Sequence, residues 1–260
     1  MEWHAPHQTR TARGVIAITV AEPGKILFVA DAHLPPTIEA VDELLGYVEA
    51  RTDGAKGIYL LGDIFSHLIG LPNFRSRGNA EERFFDGLDR FAARGLDVGY
   101  VGGNRDYFLD VLARSHPRVT FTESSLDVNP FGVRVHLIHG DTINSSDRQY
   151  LRWRSASRSR AARLACSLLP GGLARRLASK LERDLASTNH AYRIAFPEDE
   201  CRRYGAAAAA RGIKLVLLGH FHDPRTVACD GTTIHVLPDW LSRRAHAELH
   251  QDGTFVLEAR

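Results

Sequence analysis

The chain is poor in cysteine, and the few it has suit neither zinc nor cross-linking. Cys166, Cys201 and Cys229 lie far apart and form no Cys-x-x-Cys pair. Zinc-finger and disulfide-framework readings are therefore poor, and a reducing cytosol fits best. No uninterrupted apolar run is long enough to span a bilayer, so any membrane contact has to be peripheral. The first residues are polar and lack the apolar core of a signal sequence. An excess of one charge is missing too: 33 Lys and Arg stand against 31 Asp and Glu, a formal net charge of +2. Overall charge therefore names no partner, and local clustering carries more information.

What is present is material for a core. At 44% hydrophobic over 260 residues, the chain can fold as one large domain or two small ones. Residues 1–13 read as a loose tail. Val15–Val20 and Ile26–Ala30, separated by Glu22-Pro23-Gly24-Lys25, predict a hairpin. Apolar spacing at Ile38, Val41, Leu44, Leu45 and Val48 predicts a helix over 38–51, and residues 81–94 predict a second. Short apolar runs at 57–61, 98–101, 119–121, 126–129, 133–138 and 214–218 read as strands, as do 233–237, 245–249 and 254–257. Cys201–Arg211 reads as an Ala-rich helix. Strands alternating with helices predict an α/β sheet protein. Residues 148–187, rich in Arg, Ala and Leu and broken at Pro170-Gly171-Gly172, predict a two-helix cap inserted into a core over 14–147 and 188–260.

One regularity dominates. Five apolar runs end directly in polar clusters: Asp31-Ala-His33, Gly62-Asp63, Gly103-Asn104-Arg105-Asp106, His139-Gly140-Asp141 and Gly219-His220-Phe-His222. A lone Gly-Asp is a turn far more often than a ligand. Five such clusters at successive strand ends imply one shared site, because loops at the carboxyl ends of strands form the ligand site of α/β folds. Imidazole, carboxylate and amide oxygen without thiolate suit manganese, iron, zinc or cobalt. Asp31, His33, Asp63, Asn104, His139, His220 and His222 are too many ligands for one ion and suit two, about 3.5–4 Å apart. Such a pair serves in-line displacement at phosphorus and ionises a water near neutral pH.

The order Asp-x-His, Gly-Asp, Gly-Asn-x-Asp, His-Gly, Gly-His-x-His resembles the calcineurin-like metallophosphoesterases over roughly residues 25–257. The resemblance implies a four-layer αββα sandwich. It implies one ion on Asp31, His33, Asp63 and His222, and another on Asn104, His139, His220 and the shared Asp63, with manganese the expected metal. Many members carry His after Gly-Asn; here Arg105 stands instead, a fixed bidentate donor for phosphate oxygens. A leaving group as good as a nucleoside monophosphate needs little help from an acid, so Arg105 points toward pyrophosphate cleavage, with Asn104 and Arg105 as catalytic candidates.

Gly-Asn-Arg-Asp followed by an aromatic, His139-Gly140-Asp141-Thr142 and Leu237-Pro238-Asp239-Trp240 resemble the UDP-2,3-diacylglucosamine diphosphatases of lipid A synthesis. That resemblance implies a lipid-linked UDP-sugar substrate, held by Asn104, Arg105, Asp147, Tyr150, Lys180, Arg183 and His220, with its acyl chains under the cap. Segment 152–183 interleaves nine Arg and Lys with Trp153, Leu164, Leu168, Leu169, Leu173, Leu177 and Leu181. A basic amphipathic pair suits an anionic membrane surface, here the inner face of the inner membrane. Sparse aromatics make nucleic acid a weaker partner. Two readings compete: another phosphodiester, nucleotide or phosphomonoester substrate, and a degenerate scaffold. The presence of all seven candidate ligands argues against the scaffold.

Overall fold

A computed structural model describes residues 8–10, 16–18, 24–75, 79–174, 176–177, 180 and 196–259. Two sheets carry the architecture. The first holds β3 (Lys25–Val29), β4 (Ala55–Leu60), β6 (Asp97–Val101), β8 (Val119–Thr122), β14 (His246–His250) and β15 (Phe255–Glu258), in the order β15-β14-β3-β4-β6-β8. The second holds β9 (Ser125–Val128), β10 (Val135–Ile138), β11 (Leu215–Leu218), β12 (Arg225–Cys229) and β13 (Thr232–Val236), in the order β12-β13-β11-β10-β9. β3, β4, β6 and β8 run parallel, as do β10, β11 and β13. β5 (Leu68–Ile69) and β7 (Asp106–Tyr107) form a small parallel pair of their own.

Alternation along the strands divides the core. Leu27 and Val29 on β3, and Ile58 and Leu60 on β4, face one way. They pack on α1 (Ile38–Glu49) and α2 (Ala80–Ala93) through Val41, Leu44, Leu45, Phe84, Phe85 and Leu88. Ile26, Phe28 and Tyr59 face the other way and meet Val135, Leu137, Leu215 and Leu217 of the second sheet. On the far side, Val216, Leu218, Ile234 and Val236 pack on Cys201 and Ala208 of a helix over Glu198–Ala210. The layers are thus helix, sheet, sheet, helix, the expected αββα sandwich. Each layer forms because a period-two strand must bury both faces once helices flank the pair.

Both long helices are capped from within: the Thr37 hydroxyl accepts the Ala40 N–H, and the Asn79 side chain accepts the Glu82 N–H. α3 is a single turn over Leu112–Ser115. Among the described residues, no helix is long and apolar enough to cross a membrane.

Three expectations need correction. The hairpin between residues 15–20 and 26–30 does not form. β2 (Ile16–Ile18) pairs instead with β1 (Gln8–Arg10), inside the expected tail, while β3 is taken by β4 and β14. A strand between two neighbours has no free edge to offer. The segment from 148 is not two helices broken at Pro170. It breaks first at Arg158-Ser159, giving α4 (Arg148–Ser157) and α5 (Arg160–Ser167), and turns helical again at 171. Ser159 imposes that break, its hydroxyl accepting the Ala162 N–H at 3.1 Å as the cap of α5. β12 was not expected from the sequence; it forms the edge of its sheet with alternating exposure.

Gly99 shows how tightly neighbouring strands pack within the first sheet. A Cβ there would lie 2.6 Å from Cδ1 of the buried Tyr59 ring. Alanine ordinarily improves on glycine in a strand. Here overpacking decides, and Gly99→Ala lowers stability by about 1–3 kcal/mol. Urea denaturation reads this as a lower midpoint at unchanged slope; an equal or higher midpoint means that the Tyr59 ring yields.

Candidate metal centre

Register brings five loops together. Val29 pairs with Leu60, and Leu60 with Tyr100, so the loops after β3, β4 and β6 leave the sheet side by side. Ile138 pairs with Leu218, aligning the loops after β10 and β11. The first two loops also bond to each other: Asp31 N–H donates to Gly62 O at 3.2 Å, and His33 N–H to Asp63 O at 2.9 Å. Glycine permits the approach. A Cβ on Gly103 would sit 2.2 Å from Asp63 Oδ1, and one on Gly219 2.5 Å from Asp31 Oδ2.

All seven candidate ligands lie at this convergence. His33 Nε2 and His222 Nε2 are 3.3 Å apart, with Asp31 Oδ1 at 3.8 Å from the first and 3.3 Å from the second. Asn104 Oδ1 lies 3.0 Å from both His139 Nε2 and His220 Nδ1. Asp63 Oδ2 is 3.8 Å from His139 Nε2. Within this cluster, two groups have ligand atoms close enough to share an ion: Asp31 with His33 and His222, and Asp31 with Asp63 and His139. Asp31 is common to both in this geometry, the place the sequence reading expected Asp63 to hold.

Neighbours fix the orientation of these groups. His139 Nδ1–H donates to Leu61 O at 2.7 Å, which leaves the Nε2 lone pair facing the cluster. Asp31 Oδ2 accepts the His220 N–H at 2.8 Å, and Asp63 Oδ1 accepts the Arg105 N–H at 2.9 Å. Asp106, which the sequence reading left without a role, accepts the N–H of both Asp63 and Gly103, at 3.0 and 2.8 Å. Five of the seven residues hold a left-handed backbone: Asp31, His33, Asp63, His220 and His222, with φ between 44° and 66°. That conformation costs an L-residue on the order of 1–2 kcal/mol, so the packing around the loops enforces it, as at functional sites generally.

Burying these groups together distorts their acidities. Burial alone would raise Asp31, but His222, His139 and His33 outweigh it and hold the carboxyl below its usual range. Burial pushes Asp63 up to about 7, with Asp106 and Asp31 adding to it and His139 opposing. Burial would depress His139, but Asp63, Asp31 and Asp141 raise it to about 9. Burial also lowers His33 to about 3 and His220 to about 4, keeping both imidazoles neutral. Clustered carboxylates, imidazoles and an amide oxygen, most of them buried, fit divalent cations.

Arg105 is 9% exposed; its Nη1 donates to Ser66 O at 3.3 Å and its Nε lies 3.5 Å from Asp63 Oδ2. It therefore leans on Asp63. The cap residues named from the sequence divide differently. The Tyr150 hydroxyl donates to Asp141, and Asp147 caps α4 by accepting the Tyr150 N–H at 2.9 Å. Lys180 is exposed, and Arg183 lies outside the described residues. Arg154 and Arg158 do reach the loops, and α4 spacing was the available signal: they follow Tyr150 at four and eight residues, one face of a helix.

Because an ion must displace the His139 proton, its affinity should rise with pH up to about 9, roughly tenfold per unit for one proton released. Calorimetric titration in buffers of different ionisation enthalpy reads that release directly. Affinity that does not change between pH 6.5 and 8.5 contradicts it.

Comparison with known proteins agrees with this geometry. A family model described as calcineurin-like phosphoesterase matches residues 24–224. A UDP-2,3-diacylglucosamine hydrolase of Vibrio parahaemolyticus is 23% identical over 239 residues, 90% of this chain and 97% of that protein. One of Xanthomonas campestris is 26% identical over 243 residues, 87% of this chain and 96% of its own length. Among solved structures, an archaeal phosphodiesterase aligns over 91% of this chain and 99% of its own at 12% identity, with a TM-score of 0.44. With the family model covering most of the chain and all five loop motifs, the protein belongs to the calcineurin-like phosphoesterases and is a metal-dependent hydrolase.

Proposed function

We propose that this enzyme hydrolyses the pyrophosphate of UDP-2,3-diacylglucosamine, releasing UMP and 2,3-diacylglucosamine 1-phosphate. The observation that carries the reading is the helical segment beside the metal centre, where large apolar side chains stand in solvent among cations. Trp153, Leu164, Leu168, Leu173 and Leu177 are 46–74% exposed. Arg148, Arg152, Arg160, Arg176 and Lys180 are exposed around them. An apolar face rimmed by positive charge matches a diacylated, anionic substrate. A water-soluble nucleotide needs no such face. The relatives named as UDP-2,3-diacylglucosamine hydrolases, spanning nearly the whole chain, support the same choice.

In this proposal Asp31, His33, Asp63 and His222 would hold one divalent ion, and Asp63, Asn104, His139 and His220 the other; manganese is the proposed metal. Bound there, the ions supply Lewis-acid polarisation of the phosphoryl group and ionise water near neutral pH. The chain does the rest. The Leu61 carbonyl keeps the His139 Nδ1 protonated and its Nε2 free to ligate. Arg105, fixed through its own N–H on Asp63, offers its guanidinium to the charge that develops on the phosphoryl oxygens. No imidazole follows Asn104 to protonate the leaving group, and a UMP phosphate leaves without one. Residues 148–187 form the cap that receives the acyl chains, Asp147, Tyr150, Lys180 and Arg183 bind the sugar side, and the enzyme works peripherally on the cytoplasmic face of the inner membrane.

Manganese-loaded protein should release UMP from UDP-2,3-diacylglucosamine. Asp63→Ala and His222→Ala should abolish release, and Arg105→Ala should lower kcat by roughly 10²–10³. No release, with bis-p-nitrophenyl phosphate still cleaved, rules out the substrate while leaving the two-metal chemistry standing. Cosedimentation with vesicles tests the membrane surface. Binding to phosphatidylglycerol vesicles that weakens with salt and with Leu168→Asp is expected; equal recovery with neutral and anionic vesicles speaks against it.

A further inference from the structure

We infer that α4 is a positioning element for one half of the metal centre, acting through Arg154 and Arg158. One face of this helix carries Tyr150 and Arg154, and Arg158 at its C-cap continues the same four-residue step. Each lands on a loop that bears a candidate ligand. Arg154 Nε donates to Asp141 Oδ2 at 2.6 Å, and its Nη2 to Glu123 O at 3.0 Å. The Tyr150 hydroxyl donates to the same Asp141 carboxylate. Asp141 lies two residues after His139, and its side chain is 1% exposed. Arg158 Nη2 donates to Gly103 O and Asp106 O, both at 2.9 Å. Those two carbonyls bracket Asn104 and Arg105. The Arg158 guanidinium also stacks over the Tyr107 ring, 4.5 Å from its centroid.

The manner of burial separates Arg158 from the other arginines of the segment. Its Nε and Nη1 are buried and make no hydrogen bond among the described residues. A guanidinium desolvated to that degree is costly unless its remaining contacts matter. Asp106 and Glu123 lie near enough for its charge to act on them, so it is balanced in place rather than by solvent. One nitrogen reaching two carbonyls while the planar group stacks on a ring is a geometry lysine does not reproduce. The carbonyls it holds belong to the loop whose Gly103 N–H and Asn104 side chain complete the site. Seating α4 therefore sets the position of Asn104 through Arg158 and of His139 through Arg154 and Asp141. Outer contacts of this kind typically change metal affinity or activity by about 10- to 100-fold.

This inference rests on the metal reading given above and is independent of the lipid substrate. The test is titration of the metal-free protein with Mn²⁺ by calorimetry, with bound metal counted by elemental analysis. Wild type should bind two equivalents. Arg158→Ala and Arg158→Lys should keep one and bind the other at least about tenfold more weakly. With bis-p-nitrophenyl phosphate, which has no acyl chain for the cap, both variants should lose kcat by about tenfold or more while KM changes less than threefold. Lysine keeps the charge and stem, so failure to rescue separates positioning from general folding, and a melting curve of each variant checks that it is folded. Two wild-type equivalents in folded Arg158→Lys and Arg158→Ala, with unchanged diester turnover, overturn the inference alone. A wild-type chain that binds no Mn²⁺ overturns the metal reading and this inference with it.

Discussion

The site depends on a carboxylate that never meets solvent. Asp106 is 1% exposed and spends one oxygen on two backbone N–H groups, those of Asp63 and Gly103. The other oxygen accepts the hydroxyl of the fully buried Tyr100 at 3.3 Å. Burial raises its pKa, the two N–H groups oppose that, and the result is a carboxylate retained for its geometry rather than for its charge. Through it the loops after β4 and β6 are clamped to one another. Asp63 then takes the left-handed backbone that turns its side chain inward, and Asp63 in turn anchors the Arg105 N–H. Catalytic and structural roles are thus split within Gly103-Asn104-Arg105-Asp106. Its middle residues face the chemistry, and its last holds the frame.

The same economy governs charge. Asp31, Asp63, Asp106 and Asp141 are all buried within a few residues of His33, His139 and His220. Unpaired, such groups would each cost several kcal/mol. They persist because the set is nearly self-compensating: carboxylates raise one imidazole, burial lowers two others, and Arg154 and Arg158 approach from α4.

Much of this was legible in the sequence for a local reason. A strand end and the polar cluster that follows it are contiguous, so Asp31-Ala-His33 or Gly219-His220-Phe-His222 can be recognised without knowing what lies opposite. The helices over 38–49 and 80–93 were visible because their apolar faces repeat within a few turns. What escaped was long-range. Nothing near Arg158 says that its partners are carbonyls more than fifty positions earlier in the chain, or distinguishes it from the solvated arginines beside it. Asp147 was expected to contact the substrate, and the structure shows it as a helix cap, a role set by the N–H three residues on. The 15–20 run found its partner upstream rather than downstream because β3 was already occupied on both sides. Turn chemistry at Pro23-Gly24 could not reveal that competition.

The sandwich has a mechanical side. Asp31, Asp63 and Asn104 hang from the first sheet, and His139, His220 and His222 from the second, so the candidate ligands straddle the seam between two independently hydrogen-bonded slabs. Away from the site the slabs meet through Ile26, Phe28, Leu137, Leu217 and their neighbours, apolar contacts that have no directional grip. A slip of one residue along a strand, about 3.3 Å, is nearly the 3.8 Å that now separates His139 from Asp63. The centre therefore acts as an alignment gauge: it is whole only when both slabs have come to rest in register, and whatever occupies it rivets them there against shear.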